Sequence, residues 1–123
     1  MYAHDPLTHS IIGCAIEVHR HLGPGLHENT YEAALCIELD AIPLTYTRQI
    51  GVPVLYKGQL IGEHRPDLVV EAKVVVEIKS VERLTDVHQA QILAYMRILG
   101  IPVGLLMNFN SAVLRSSVRR LAL

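Results

Sequence analysis

The sequence predicts an α/β fold in which helices flank a central mixed β-sheet, with the elements in the order ααβββαβ. The chain has 123 residues, of which 50% are hydrophobic, so it can bury one core and is short for several domains. Apolar residues recur with helical spacing in the first third of the chain and again after residue 85, and β-branched runs with turn residues fill the middle. This pattern is typical of one sheet covered by helices, and we treat residues 1–123 as a single domain.

Two helices are predicted at the start of the chain. From residue 8 to residue 22 the apolar side chains fall on one helical face. The sequence Gly23-Pro24-Gly25 ends this helix, because glycine accepts the left-handed cap and proline cannot continue the hydrogen-bond ladder. A second helix is predicted from about residue 28 to residue 40, with Tyr31 on its inner face as a core residue.

Strands are predicted in the middle of the chain. Residues 52–56 alternate as in a strand, and Lys57-Gly58 is a hairpin-turn signal before the chain returns through residues 60 and 61. Residues 68–70 and 74–76 are β-branched runs that predict a second hairpin inside a well-covered sheet.

A third helix and a last strand complete the prediction. Thr85 is a candidate N-cap for this helix and Gly100 ends it. Residues 101–107 then predict a buried strand. The tail, residues 111–123, mixes apolar residues with arginines without a clear period, so no element is assigned to it.

Composition narrows the function classes. Eleven Lys and Arg against twelve Asp and Glu give a net charge of −1, so attraction to a polyanion requires a local basic patch. Cys14 and Cys36 form neither a CxxC pair nor a disulfide framework, and the histidines lack the spacing of a zinc site. The first ten residues lack the pattern of a signal peptide, and no apolar run is long enough to span a bilayer. We therefore expect a cytoplasmic protein without membrane contact.

The charges around the second hairpin predict its register. If the turn is the three residues Glu71 to Lys73, Asp67 lies directly opposite Glu77 and both carboxylates share one face. The other face then carries only apolar side chains, whereas a turn of two or four residues would mix charged and apolar residues on both faces. The segregation favours the three-residue turn, which contains no glycine and so requires a positive φ at Ala72 or Lys73.

Two carboxylates directly opposite each other suit a divalent cation. Their Cβ atoms would lie roughly 4.5–5.5 Å apart, and like charges at this distance destabilise a sheet unless something compensates. Mg²⁺ binds carboxylate oxygens and keeps positions for water and phosphate, so Asp67 and Glu77 are candidate metal ligands, with Mn²⁺ as a substitute ion. Lys79, on the same face, can hold the attacking water or neutralise charge on a phosphate. The alternative is a solvated strand face on which Arg65 and these three residues pair without a metal.

Several motifs resemble known nucleases. Pro66-Asp67, followed after nine residues by Glu77-Ile78-Lys79, resembles the PD-(D/E)XK nuclease superfamily. Gly25-Leu-His-Glu28-Asn-Thr-Tyr31 looks like the signature of the small GxxExxY protein family, a branch of that superfamily, and Gln91-Ile-Leu-Ala-Tyr95 resembles the QxxxY element of RecB-type nucleases. Further matches extend along most of the chain, among them Ile11-Ile12-Gly13, His88-Gln89-Ala90-Gln91 and Gly104-Leu105-Leu106-Met107-Asn108-Phe109. The resemblance implies a restriction-endonuclease-like core.

The resemblance also implies roles for three residues on the helices. A glutamate on the first core helix can complete the metal shell in this superfamily, so Glu28 is expected to assist the hairpin carboxylates. The alternative for Glu28 is a first-turn carboxylate favoured by the helix dipole. Gln91 is expected to orient Lys79 or a phosphate, and Tyr95 to stack or hydrogen-bond on nucleic acid. The alternative for both is a polar group at the edge of the core.

The function expected from these residues is that of a Mg²⁺-dependent nuclease, which hydrolyses phosphodiester bonds by metal-activated water. Its catalytic residues would be Asp67, Glu77, Lys79 and Glu28, and its substrate nucleic acid, DNA in preference to RNA. The alternative is a catalytically silent module of the same fold that binds nucleic acid or a protein partner, which the short chain and the near-neutral net charge favour. A homodimer would supply additional contact surface, and the high apolar fraction is compatible with one.

Overall fold

The structure of the chain, a computed structural model, describes residues 5–123. The first four residues belong to the N-terminal segment in which no signal peptide is expected, and they lie outside the described residues. None of the helices in residues 5–123 has the length and apolar character needed to cross a bilayer.

The first helix, α1 (Pro6–Leu22), begins two residues earlier than the sequence predicts. The side chain of Asp5 accepts the backbone N–H groups of Leu7 and Thr8, at 3.0 and 3.4 Å, which satisfies donors that a helix start leaves unpaired. The proline in the first turn needs no N–H partner there. The helix ends at Gly23 as predicted, where φ is 68°.

The second helix, α2 (Glu28–Ala41), agrees with its prediction to within one residue. Tyr31 on this helix is fully buried and its ring stacks on Phe109, with the ring centroids 4.5 Å apart. The Tyr31 hydroxyl donates to the carbonyl of Gly23 at 2.5 Å and accepts the N–H of Leu26 at 3.1 Å. Tyr31 is therefore a core residue, as predicted, and it also fixes the connection between the two helices.

The strands form two sheets. In the described residues they are β1 (Tyr46–Arg48), β2 (Val52–Tyr56), β3 (Gln59–His64), β4 (Leu68–Val70), β5 (Val74–Lys79), β6 (Val103–Asn108) and β7 (Val118–Ala122). A five-stranded sheet has the order β1-β4-β5-β6-β7, in which β5 and β6 are parallel and the other neighbours are antiparallel. The fold class is confirmed: helices flank a mixed sheet, consistent with a restriction-endonuclease-like fold.

The predicted order ααβββαβ was wrong in the number and grouping of strands. Within residues 5–123, five strands precede the third helix and two follow it. In the part of the chain that the structure describes, β2 and β3 pair with each other and with no strand of the central sheet. The short edge strand β1 and the arginine-containing β7 lack the apolar runs that mark central strands, and pairing between distant strands is set by tertiary packing that a local pattern does not encode.

The third helix, α3 (Asp86–Leu99), is capped as the sequence predicts. The Thr85 hydroxyl accepts the N–H of His88 at 3.4 Å, and the His88 ring accepts the N–H of Thr85 at 3.1 Å. Gly100 ends the helix in the left-handed conformation, with φ 70° and ψ 29°. His88 thus serves the helix start.

The β4–β5 hairpin has the predicted register. Leu68 pairs with Val76 and Val70 with Val74, which leaves a three-residue turn. The positive φ values fall at Glu71 and Ala72, both 54°, so Ala72 was predicted correctly and Lys73 was not. The N–H of Lys73 donates to the carbonyl of Val70 at 2.9 Å and closes the turn.

The two faces of the sheet bury separate clusters. On one face, alternate hairpin residues such as Leu68 and Val76 pack with the helices α1 and α2. On the other face, Val69 and Val75 pack with Ile92 and Met96 of α3. Side chains alternate along a strand, so every second residue shares a face. Asp67, two positions before Val69, and Glu77, two positions after Val75, are therefore directed to the face that α3 covers.

Candidate active site

Asp67 and Glu77 converge at the open end of the β4–β5 hairpin. The backbone N–H of Asp67 donates to Glu77 Oε1 at 2.7 Å, and the backbone N–H of Ile78 donates to Asp67 Oδ2 at 2.7 Å. Each carboxylate is therefore anchored on the backbone of the opposite chain segment. The strand pairs between Leu68–Val70 and Val74–Val76 confirm the predicted register, and this register brings the two acidic side chains together.

Lys79, the last residue of β5, lies on the same side as this pair. Its Nζ is 3.8 Å from Glu77 Oε2 and donates to Gln91 Oε1, on α3, at 3.0 Å. The Lys79 side chain is only 15% exposed, so packing as well as these contacts restricts its position. One ammonium and two carboxylates thus occupy the face that α3 covers.

Burial raises the pKa of both hairpin carboxyls. For Glu77, burial is the largest cause, the charge of Asp67 adds to it, and Lys79 opposes the rise. For Asp67, burial again raises the pKa most, the N–H of Ile78 opposes it, and the charge of Glu32 adds to it. Desolvation and repulsion both disfavour two free carboxylates, so the pair favours a retained proton or a bound cation.

Two glutamates of α2 face this pair. Glu28 is half-buried, its Oε2 accepts the N–H of Ser80 at 3.0 Å, and its charge helps to raise the pKa of Glu77. Glu32, one helical turn later, is 4% exposed and forms an ion pair with Arg48, whose Nε lies 3.0 Å from Glu32 Oε2. The helix therefore presents two carboxylates to the end of the hairpin.

Gln49 links Glu32 to Asp67. Its side-chain amide donates to Glu32 Oε1 at 2.9 Å and to Asp67 Oδ1 at 3.3 Å. Its backbone N–H also donates to the carbonyl of Asp67 at 3.0 Å. Gln49 has φ 52°, a left-handed conformation that is uncommon outside glycine. In this conformation its side-chain amide and its backbone N–H both reach Asp67. The position of Asp67 is therefore fixed from α2 as well as from β5.

Gln91 and Tyr95 both reach the site from α3, in different ways. Gln91 is exposed and contacts Lys79 directly. Tyr95 is 6% exposed, and its pKa is raised by burial and by the charges of Glu77 and Asp67. The Tyr95 ring lies beside that of His64, with the ring centroids 6.2 Å apart, and its contact with nucleic acid stays a prediction.

A comparison with protein families identifies the family to which this chain belongs. A family model described as the PD-(D/E)XK nuclease superfamily matches residues 5–121. The chain belongs to the PD-(D/E)XK nuclease superfamily. No curated protein and no solved structure matches the chain significantly. The matched range includes the hairpin that carries Asp67, Glu77 and Lys79, the residues in which the sequence resembles the superfamily motif.

PD-(D/E)XK nucleases generally use divalent metal ions, and the donor chemistry here fits such an ion. The carboxylates of Asp67 and Glu77 are hard oxygen ligands, and a cation would relieve the repulsion that raises the pKa of Glu77. Among residues 5–123 no group of three or more His, Cys, Asp and Glu side chains is arranged to hold a metal. Glu28 is therefore close to the pair without forming a three-ligand cluster with it.

Two residues of this PD-(D/E)XK site were missed by the sequence analysis. Glu32 had a detectable signal, because it follows Glu28 by four positions and such residues share a helix face. Gln49 had none, since its contacts depend on the left-handed turn after β1 and on the placement of α2.

Proposed function

We propose that the protein is a divalent-metal-dependent nuclease that hydrolyses phosphodiester bonds in nucleic acid. The observation that carries this proposal is the convergence of Asp67 and Glu77 on one face with Lys79, whose Nζ is 3.8 Å from Glu77 Oε2. Carboxylates that hold a cation beside an ammonium are suited to phosphoryl chemistry, in which charge accumulates on the phosphate oxygens.

Each residue has a defined task in this proposal. Asp67 and Glu77 would hold the ion, which when bound supplies a water of lowered pKa and a positive charge near the phosphate. Lys79 directs its ammonium at the reacting phosphate and stabilises the negative charge that develops there. Gln91, 3.0 Å from Lys79 Nζ, orients that ammonium. Glu28 contributes further negative charge beside the pair as an assisting carboxylate.

We also propose that the chain is a GxxExxY protein within the superfamily. The three motif residues have connected structural tasks, which supports this assignment. Gly25 has φ 101°, where other residues are strained. Tyr31 closes the loop that contains Gly25 by its bonds to Gly23 and Leu26. Glu28 accepts the N–H of Ser80, directly after the catalytic strand.

The remaining parts of the proposal concern the ion, the substrate and the setting. Mg²⁺ is the proposed ion, with Mn²⁺ as a substitute, and DNA is the proposed substrate ahead of RNA. Residues 1–123 would act as one domain in the cytoplasm, a reducing compartment that suits the unpaired buried thiols of Cys14 and Cys36.

The β2–β3 hairpin supports a homodimer, because Leu55, Leu60 and Ile61 are 63%, 67% and 64% exposed.

A cleavage assay with matched lysine variants tests the catalytic proposal. Purified protein is incubated with DNA and with RNA, in Mg²⁺, Mn²⁺ or EDTA. Lys79→Ala should reduce the cleavage rate by on the order of a hundredfold or more. Lys73→Ala, which removes an exposed lysine from the turn of the same hairpin, should cleave like the wild type. Cleavage that persists in EDTA, or that Lys79→Ala leaves unchanged, would overturn the proposal.

A binding module without catalysis is the second candidate. Two observations support it: the net charge of −1, and the burial of Asp67 and Glu77, which favours a retained proton on this pair. Calorimetric titration with Mg²⁺ distinguishes the two. A nuclease should bind Mg²⁺ in a way that Asp67→Asn and Glu77→Gln each abolish. A silent module should show no binding that depends on these residues.

A further inference from the structure

A polar cavity lies beside the candidate active site. It has a volume of about 420 Å³ and is lined by the segment between β5 and α3, by the end of β6, and by the segment that leads from β6 into β7. Its lining is almost entirely polar or charged: Glu82, Arg83, Leu84, Asn108, Asn110, Ser111, Ser116, Ser117 and Arg119. None of the residues assigned to catalysis lines it.

One wall of the cavity is held rigidly by Asn108. The Asn108 side chain accepts the N–H of Val81 and the N–H of Asn110, each at 3.1 Å, and donates to the carbonyl of Val81 at 2.9 Å. Asn110 donates to the same carbonyl at 3.3 Å. The segment after β5 and the turn after β6 are thereby tied together, so the cavity is formed before any ligand binds.

The lining also presents a guanidinium that is held by two hydrogen bonds. Arg119 donates to Gln89 Oε1 at 3.1 Å and to the carbonyl of Leu84 at 3.4 Å. A guanidinium has five N–H donors, so these two contacts orient Arg119 and leave others for a ligand. Arg83 is exposed on the same cavity and, within residues 5–123, has no hydrogen-bond or ion-pair partner. With Glu82 included, the charged lining has a net charge of +1.

The cavity is one strand away from the catalytic lysine. Asn108, in its wall, pairs with Lys79 in the parallel β5–β6 register, and neighbouring strands are about 5 Å apart. Arg119 lies opposite Leu106, which packs under α3, so Arg119 is directed to the same face of the sheet as Lys79. A chain that carries a phosphate at Lys79 can therefore place a neighbouring phosphate in the cavity.

We propose that this cavity binds a backbone phosphate of the nucleic-acid substrate, next to the phosphate that is cleaved. The inference rests on the proposed nuclease function and adds a substrate contact to it. Arginine binds phosphate through parallel N–H bonds, and the hydroxyls of Ser116 and Ser117, which line the same cavity, supply further donors. A phosphate contact of this kind holds the strand in position without reading its sequence.

A binding assay tests the cavity separately from catalysis. The probe is a short fluorescent single-stranded DNA, and anisotropy is measured in EDTA with the Asp67→Asn background, so that the DNA stays intact. Arg83→Ala and Arg119→Ala should each weaken binding about five- to tenfold and reduce the salt dependence of the affinity by about 0.7 in logarithmic slope. Arg97→Ala, which removes an exposed charge at the far end of α3, should change the affinity by less than about twofold. Glu82→Gln should strengthen binding.

Three outcomes would overturn the inference. One is equal binding by Arg83→Ala, Arg119→Ala and the wild type. A second is an equal loss in Arg97→Ala, which would show only a net-charge effect. The third is a titration with inorganic phosphate that shifts the NMR signals of the cavity residues while the DNA leaves them unchanged, because the site would then serve free phosphate.

The result separates this inference from the proposed function. If the wild type cleaves DNA and the two cavity variants raise KM with kcat unchanged, both stand. If cleavage is absent but DNA binding depends on Arg83 and Arg119, the catalytic proposal fails and the phosphate site stands. If cleavage occurs with a KM that both variants leave unchanged, only the phosphate site fails.

Discussion

Glu77→Gln should stabilise the metal-free protein at neutral pH, although it removes a candidate metal ligand. Folding raises the pKa of Glu77 above its ordinary value of 4.5, chiefly through burial. The folded state then binds more protons than the unfolded state, so the free energy of unfolding falls as the pH rises from 4.5 towards the raised pKa. Glutamine carries no charge and its amide oxygen can still accept the N–H of Asp67.

The size of the effect follows from the proton that Glu77 retains. A carboxyl with an ordinary pKa of 4.5 that stays protonated to pH 7 reduces the free energy of unfolding by about 1.4 kcal/mol for each pH unit, or at most about 3.5 kcal/mol. Lys79 and the N–H of Asp67 favour the charged form, but burial outweighs them and the pKa of Glu77 stays raised, to about 8. We expect Glu77→Gln to gain about 1–3 kcal/mol at pH 7 and almost nothing at pH 4.

Urea unfolding in EDTA across pH 4 to 8 measures this difference. Glu82→Gln, the same change at an exposed position, serves as the control and should follow the wild type. Addition of Mg²⁺ should reverse the order, because the ion stabilises only the protein that binds it. A wild-type stability that stays level or rises from pH 5 to pH 8 in EDTA, or a Glu77→Gln variant less stable than wild type at pH 7, would refute the reasoning.

Three further predictions concern the ion and the packing behind the site. Gln49→Ala should weaken Mg²⁺ binding about tenfold in calorimetry, because Gln49 orients Asp67, and an unchanged affinity would show that this contact is dispensable. Mg²⁺ binding at pH 7 should release protons, because carboxylates bind a metal in their deprotonated form. The calorimetric binding enthalpy should then vary with the ionisation enthalpy of the buffer. A binding enthalpy that is the same in all buffers would count against proton release. A Cβ at Gly104 would lie 2.6 Å from Met96 Sδ, so Gly104→Ala should cost about 1–3 kcal/mol in urea unfolding, whereas Gly62→Ala, where a Cβ meets nothing within 4 Å, should cost less.

The sequence predicted the β4–β5 hairpin well because its charge pattern has only one consistent register. Asp67 and Glu77 share a face only with an odd turn, and every alternative would have placed charge among the apolar residues that pack on α1 and α2. The helix ends were predictable for a similar reason, since Thr85 and Gly100 have strong local preferences.

What the sequence did not predict depends on contacts between distant segments. The β2–β3 hairpin is separate from the central sheet because its strands pair with each other. Its residues would alternate in the same way if it were part of the central sheet, so the sequence pattern does not distinguish the two arrangements. Gln49 joins α2 to β4 from a left-handed backbone position that its residue type does not predict. Glu32 shares a helix face with Glu28, which the sequence shows, but its burial and its ion pair with Arg48 become visible only in the structure.

Anomalous diffraction from a crystal of the protein soaked in Mn²⁺ tests the metal site most directly. We predict a peak between the carboxylates of Asp67 and Glu77, which Glu77→Gln crystals should lose. A peak located elsewhere, or no peak at a Mn²⁺ concentration that supports cleavage, would contradict the assignment of these two residues as the metal ligands.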